Sequence, residues 1–410
     1  MRTLSILAPL LATLVLDGCL KSNGPPGGTS PPAPTPNVMA LNVDSGPVGA
    51  SGAINHAYVT VKVCVSGSQN DCASIDHVLL DTGSFGLRLV RSVLAAHAVT
   101  LAAETDGQSR TIEECVSFNG GQTWGPVALA DITLAGEVAA KLPVQVMDDT
   151  GAGSPPPSGC GSNGTLINDV SGFSANGVLG VGVLIEDCGP ACATAAAPLP
   201  FYYGCSAAGS CTAENVPLDQ QVTNPVAMFA ADNNGVVIQL PALANANGDA
   251  SVQGELIFGI DTQSDNSMPS TGITVLGANG SGDFETTYNG APTALPSLVD
   301  SGTDAYSFND PTIAVCASGA FVGYYCPSVA PQSLFAVNRG VGTENATGTV
   351  DFALADPNSF VPGAAAFIDL GGGGGSTSFI WGMPFFYGRS IFIGIEQRVS
   401  GTHTGPFYAY

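Results

Sequence analysis

Apolar residues in this chain fall in short runs, not in long helical stripes. The runs at 58–65, 78–80, 127–134, 144–147, 236–240, 256–260, 273–276 and 390–395 alternate or are wholly apolar, and turn residues bound them. Mostly four to eight residues long, they have the length and composition of strands. Helical patterns are few and short, and are predicted only at 90–97, 224–232 and 310–315. Ser154-Pro155-Pro156-Pro157 and the glycine run 371–375 read as loops, and the run lacks the Lys-Ser/Thr of a phosphate cradle. The pattern predicts a turn-rich β protein.

Composition sharpens that picture. Gly (53) and Pro (29) supply one residue in five of the 410, and only 10% of residues are charged, which argues against a helical bundle. The length allows one large or two medium domains. With 10 Lys+Arg against 33 Asp+Glu, the formal net charge of -23 excludes a generic binder of nucleic acid or anionic membranes, whose phosphates it would repel.

The N-terminus reads as an export signal. Arg2 precedes an apolar run over 4–16 and then Asp17-Gly18-Cys19, so residues 1–18 are expected to be a signal peptide. Leu16-Asp17-Gly18-Cys19 resembles a bacterial lipobox, which implies lipidation at Cys19. Asp17 fits that pattern poorly, and an ordinary secretory signal is the alternative. Residues 19–40, rich in Pro, Gly, Ser and Thr, are expected to be a solvated tether. Below the leader no apolar run reaches the roughly 20 residues of a spanning helix. The expected location is periplasm-facing or outer-membrane in a Gram-negative bacterium, or secreted.

Eleven cysteines leave ten if Cys19 carries lipid, enough for five disulfides in an oxidising compartment. Sequence alone leaves the connectivity open. Close spacing favours Cys64–Cys72, Cys188–Cys192, Cys205–Cys211 and Cys316–Cys326, and Cys115–Cys160 remains by elimination. No Cys-x-x-Cys occurs and His56, His77, His97 and His403 are scattered, so no metal or cofactor is expected.

One short signature occurs twice. Val78-Leu79-Leu80-Asp81-Thr82-Gly83-Ser84 is echoed by Ser297-Leu298-Val299-Asp300-Ser301-Gly302-Thr303. Each has a later apolar-apolar-Gly partner, Val178-Leu179-Gly180 and Ile380-Trp381-Gly382. Two copies of one Asp loop suggest a pseudo-twofold molecule with a site at the seam. Carboxylates facing one another across such an axis cannot both ionise easily and would share a proton. One could then act as general base on a water while the other, protonated, polarises a carbonyl. Val43-Asp44-Ser45-Gly46-Pro47 also contains Asp-Ser-Gly. Pro47 replaces the second hydroxyl and Asp81 lies only 37 residues on, so a turn near the first strand is expected there.

Over most of residues 55–410 the chain resembles the pepsin-like aspartic peptidases, and beyond them a group of uncharacterised proteobacterial exported lipoproteins of that architecture. Asp81-Thr82-Gly83-Ser84 and Asp300-Ser301-Gly302-Thr303 resemble the two catalytic motifs. Asn176-Gly177-Val178-Leu179-Gly180-Val181-Gly182 resembles the segment crossing beneath the first motif, and Gly254-Glu255-Leu256-Ile257-Phe258-Gly259-Ile260-Asp261 the strand that joins the lobes. The C-terminal segment is resembled by Phe379-Ile380-Trp381-Gly382-Met383-Pro384-Phe385-Phe386 and then Ser390-Ile391-Phe392-Ile393-Gly394.

The resemblance implies an all-β, bilobal pepsin-like (acid protease) double β-barrel with pseudo-twofold symmetry and few short helices. Its lobes would be 41–260 and 261–410. Asp81 and Asp300 would be catalytic, Thr82 and Ser301 would cross-brace the loops, and Ser84 and Thr303 would bond the outer carboxylate oxygens. For those four hydroxyls ordinary turn chemistry is the competing reading.

Departures from the family concentrate at the cleft. The best candidate for its flap hairpin, 115–125, has no tyrosine. Phe118 stands in for that residue, and Arg88 stands where the tyrosine's tryptophan partner is expected. Trp124 either covers the cleft or packs as ordinary core. Arg88 either sits beside the dyad, lowering its working pH, or points to solvent.

The function expected is an acid-tolerant, monomeric aspartic endopeptidase of the cell envelope acting on polypeptide. The alternative is a non-catalytic pepsin-fold lipoprotein that binds peptide or glycan. A serine hydrolase fails for want of a Gly-x-Ser-x-Gly elbow with a suitable His.

Overall fold

The computed structural model describes residues 37–410 apart from 51, 119, 161–164, 246 and 376. The signal peptide, Cys19 and most of the tether lie outside the described residues. Alternation sets the faces of the strands: in Ala57–Val65, Val59, Val61 and Val63 are buried while Thr60 and Lys62 are exposed. The first strand is Val38–Val43, so the last three residues of the expected tether, 38–40, are strand instead. They are held there because Val38–Val43 pairs antiparallel with Val252–Phe258, Val38 opposite Ile257.

The fold is the expected all-β double barrel. In the N-terminal half, Cys72–Asp81 runs parallel to Gly177–Val181, with Asp81 opposite Gly180, and Phe85–Val90 returns antiparallel along the other side of Gly177–Val181. The C-terminal half repeats this. Leu295–Val299 runs parallel to Phe379–Trp381, with Val299 opposite Trp381, and Tyr306–Phe308 returns antiparallel along it. Each Asp loop therefore bridges two strands that flank a third. Between the halves runs a shared sheet in the order Val38–Val43, Val252–Phe258, Gly235–Leu240, Arg389–Gly394, Phe407–Ala409 and Val275–Gly277.

The core changes character between halves. Val59, Val61, Ile75, Leu80, Leu87 and Leu89 make it aliphatic near the first loop. Near the second it is aromatic: Phe308 stacks on Phe379 at 5.1 Å, and Trp381 packs against Tyr306, Phe352 and Phe385.

Helices are short, and two expectations are corrected. Arg91–Ala96 is an α-helix. The segment 224–232 yields only the 3-10 turn Pro225–Met228, started by the Asn224 side chain, which accepts from Val226 N. Residues 310–315 form no helix, because Asp310 Oδ1 takes both the amide and hydroxyl of Thr312 in a local turn. The expected loop at 371–375 holds the strand Gly371–Gly373, parallel to Tyr306–Phe308. Asp44, of the third Asp-Ser-Gly, closes a turn by accepting from Gly46 N at 2.9 Å. Among the described residues five disulfides join Cys64–Cys72, Cys115–Cys160, Cys188–Cys192, Cys205–Cys211 and Cys316–Cys326: the four pairings that spacing favoured and the one left by elimination.

Candidate active site

Strand ends deliver the two carboxyls. Asp81 is the last residue of Cys72–Asp81, and Asp300 follows Leu295–Val299. Each is then fixed by its own loop in the same way. Gly83 N donates to Asp81 Oδ1 at 2.8 Å and Ser84 Oγ to Asp81 Oδ2 at 2.6 Å. Gly302 N donates to Asp300 Oδ1 at 2.8 Å and Thr303 Oγ1 to Asp300 Oδ2 at 2.6 Å.

The second residue of each motif locks the loops together. Thr82 Oγ1 donates to Val299 O at 2.7 Å and accepts from Ser301 N at 3.0 Å. Ser301 Oγ donates to Leu80 O at 2.7 Å and accepts from Thr82 N at 3.2 Å. Both hydroxyls are buried, so four bonds reach across the seam without competition from water.

The glycines serve close approach. A Cβ on Gly83 would stand 2.6 Å from Asp300 Cγ, and one on Gly302 would stand 2.7 Å from Asp81 Oδ1. Neither has left-handed backbone, so each motif's glycine is there to admit the opposite carboxyl. Gly180 and Gly382 do the same for the crossing strands: a Cβ on Gly180 would lie 2.6 Å from Phe85 N, and one on Gly382 would strike Ala305 O.

A consequence follows for Gly302→Ala. Its methyl would push the carboxyls apart, and a displacement near 1 Å costs about 100-fold in rate. The same separation weakens their repulsion, so the alkaline limb of a pH–rate profile should move to lower pH. A rate loss with an unmoved limb would show that the methyl acts elsewhere.

Asp81 is only 6% exposed, and its carboxyl faces that of Asp300: a Cβ on Gly302 would lie 2.7 Å from Asp81 Oδ1 and 3.2 Å from Asp300 Oδ1. Burial first, and the Asp300 charge second, push the Asp81 carboxyl up to about 8, against the bonds from Ser84 and Gly83. The dyad thus retains a proton through neutrality.

Arg88 neither serves the dyad nor points to solvent. It is 1% exposed, and its Nη2 meets Glu114 Oε1 at 2.6 Å and Asp187 Oδ2 at 2.7 Å. Nη1 donates to Phe85 O at 2.8 Å, and Tyr202 Oη donates to Asp187 Oδ1 at 2.6 Å. Burial, then the Glu114 charge, pushes the Asp187 carboxyl well up. The hairpin expected as flap forms between Thr111–Phe118 and Gly121–Leu134, with Phe118 opposite Gly121. Phe118 lies with its ring centre 5.6 Å from the Arg88 guanidinium and edge-on to Phe173, so the hairpin is anchored by a cation–π contact and the Glu114 ion pair.

Trp124 does not cover the cleft. It is buried at the hairpin's base, donating Nε1 to Ser154 O at 2.7 Å and meeting Tyr203 edge-on. Sequence reading missed the partners Glu114, Asp187 and Tyr202. The signal was Glu113-Glu114 inside the otherwise strand-like Thr111–Phe118, since a charge in a buried strand needs a counter-charge.

Two lobes built on crossed Asp loops define the pepsin-like class of fold. The chain belongs to the family described as "Protein of unknown function (DUF3443)", whose model matches residues 33–410. No curated protein sequence matches it. Among solved structures it is similar to an aspartic proteinase from Irpex lacteus, at 16% identity and a TM-score of 0.48, over 91% of this chain and 96% of that one. The fold class rests on the strand order and paired loops described above, not on that likeness.

Proposed function

We propose that the protein is an aspartic-type endopeptidase. The observation that carries this reading is the facing Asp81/Asp300 pair held by two matching loops that brace each other. One carboxylate takes a proton from a water as its oxygen attacks the peptide carbonyl carbon, and the protonated partner donates to the carbonyl oxygen. The C–N bond then breaks as the leaving nitrogen accepts the proton taken from water and a hydroxyl of the tetrahedral diol returns its proton to the other carboxylate, which releases the carboxyl product and leaves the dyad singly protonated again. The proton belongs to the pair and not to either residue.

Five disulfides favour an oxidising compartment, in keeping with an exported lipoprotein anchored at Cys19. A binder of peptide or glycan is the second reading, favoured by one observation: Phe118, at the hairpin position, brings no hydroxyl to the cleft.

The test is digestion of an unstructured peptide library from roughly pH 3 to 9, a range spanning ordinary carboxyl titration and the raised dyad. Wild type should cleave, and a statine-type inhibitor should abolish cleavage. Since Asp81 is raised to about 8, the singly protonated dyad persists to that pH and kcat/KM should fall only above it. An alkaline limb below pH 6 would contradict the dyad's environment. A folded protein that binds peptides but cleaves none would establish the binder.

A further inference from the structure

Immediately beyond the second Asp loop lies an open cleft of about 180 Å³ with Thr303, Asp304, Ser307 and Tyr324 on its walls. Thr303 is the residue whose hydroxyl holds Asp300, so the cleft begins one hydrogen-bonded residue from the dyad. The volume is below the roughly 300 Å³ at which drug-sized ligands are accommodated, and suits a single side chain.

The backbone that carries Asp304 is fixed. Thr303 O accepts from Met383 N at 2.7 Å, Asp304 O accepts from Asn55 Nδ2 at 2.7 Å, and Tyr306 N donates to Leu370 O at 3.0 Å. The Asp304 carboxylate accepts the Tyr324 hydroxyl. Tyr324 is itself placed by the loop closed by Cys316–Cys326, where Cys316 N donates to Tyr324 O at 2.8 Å, and by its edge-on contact with Phe321.

Among the described residues no Lys, Arg or His lies within ion-pair distance of Asp304. The cleft therefore presents a positioned carboxylate, a phenol oxygen with lone pairs to spare, and the Ser307 hydroxyl, with no cation of its own. Such a set of acceptors matches a group that is all donor, an ammonium or a guanidinium.

Resting on the peptidase reading above, we infer that this cleft is a substrate subsite that takes the side chain of Lys or Arg. A peptide lying across the dyad would place one residue into it, and Asp304 would select a basic one. Burial raises the Asp304 carboxyl and the Asp300 charge adds to this, and an arriving cation would offset both.

A degenerate peptide library containing norleucine as the uncharged counterpart of Lys tests this, with cleaved products sequenced by mass spectrometry. Wild type should enrich Lys and Arg about 10-fold or more over norleucine at one fixed distance from the cleaved bond, the scale of a charged hydrogen bond. Asp304→Asn, which can still accept from Tyr324, should bring that ratio toward one. Cleavage with no basic position in wild type, or a preference unchanged in Asp304→Asn, overturns the subsite and leaves the peptidase standing. If nothing is cleaved, the peptidase reading fails, and the same library captured on Asp81→Asn protein decides the subsite. Basic enrichment there that vanishes when Asp304→Asn is added supports it, and no enrichment overturns it.

Discussion

Replacing Asp81 with Asn should abolish hydrolysis and, measured against wild type, stabilise the protein increasingly as pH rises. The first effect is the loss of a group that moves protons in the transition state, about 100- to 10,000-fold in kcat/KM. The second follows from where the carboxyl is held. Its folded pKa is about 8 against an ordinary 3.8, so between those values the folded protein keeps a proton that the unfolded chain has released. Wild-type stability therefore declines through that window, while an amide has nothing to ionise. Unfolding of both proteins by urea at pH 4 and pH 8 reads the difference: the variant should gain on wild type at pH 8 and lie near it at pH 4. Asp300→Asn should remove hydrolysis likewise and let the Asp81 carboxyl fall, because the Asp300 charge helps to raise it. Undiminished cleavage in either variant would discard the dyad. A stability gap independent of pH would show that the Asp81 carboxyl is not held as described.

Arg88→Met should cost about 3–5 kcal/mol of folding stability, the scale of breaking a buried ion pair by removing one partner. The guanidinium bridges Glu114 and Asp187, whose side chains are 0% and 3% exposed, and among the described residues no other cation pairs with either. Burial and the Glu114 charge already push the Asp187 carboxyl up, and removing the guanidinium takes away the charge that opposes them. The deficit should therefore be largest at pH 8 and shrink toward pH 4.5, as urea midpoints at the two values would show. Arg88→Lys keeps a charge but offers a point ammonium in place of a planar fork, so it should recover only part of the loss. Equal deficits for Met at both pH values would assign the cost to packing instead. Because Phe118 rests on the same guanidinium, the Met variant should also loosen the hairpin tip, visible as faster amide exchange in Thr111–Phe118.

Much of the site was legible in the chain because its chemistry is local. Asp81 and Asp300 each take their bonds from residues two and three positions on, so each loop is written out in four consecutive letters. The apolar-apolar-Gly partners were legible for a similar reason: only glycine lets a strand pass so closely under such a loop. Strand runs followed from alternation, and the close cysteine pairs from the short reach of a few residues.

What the sequence could not decide was how distant residues meet. Arg88 and Asp187 are 99 positions apart and Arg88 and Glu114 are 26 apart, so no spacing rule joins them, and a charge one turn from the dyad read equally as a tuner or as surface. Trp124 read equally as a lid or as core until the fold buried it against Tyr203. Asp304 and Tyr324 are brought together by a disulfide-closed loop and a tied backbone, contacts that exist only once both are packed. Backbone conformation and short-range bonding are properties of a few neighbouring residues and can be read from them. Desolvation and charge pairing depend on which surfaces the whole chain brings into contact, and those only the tertiary structure decided.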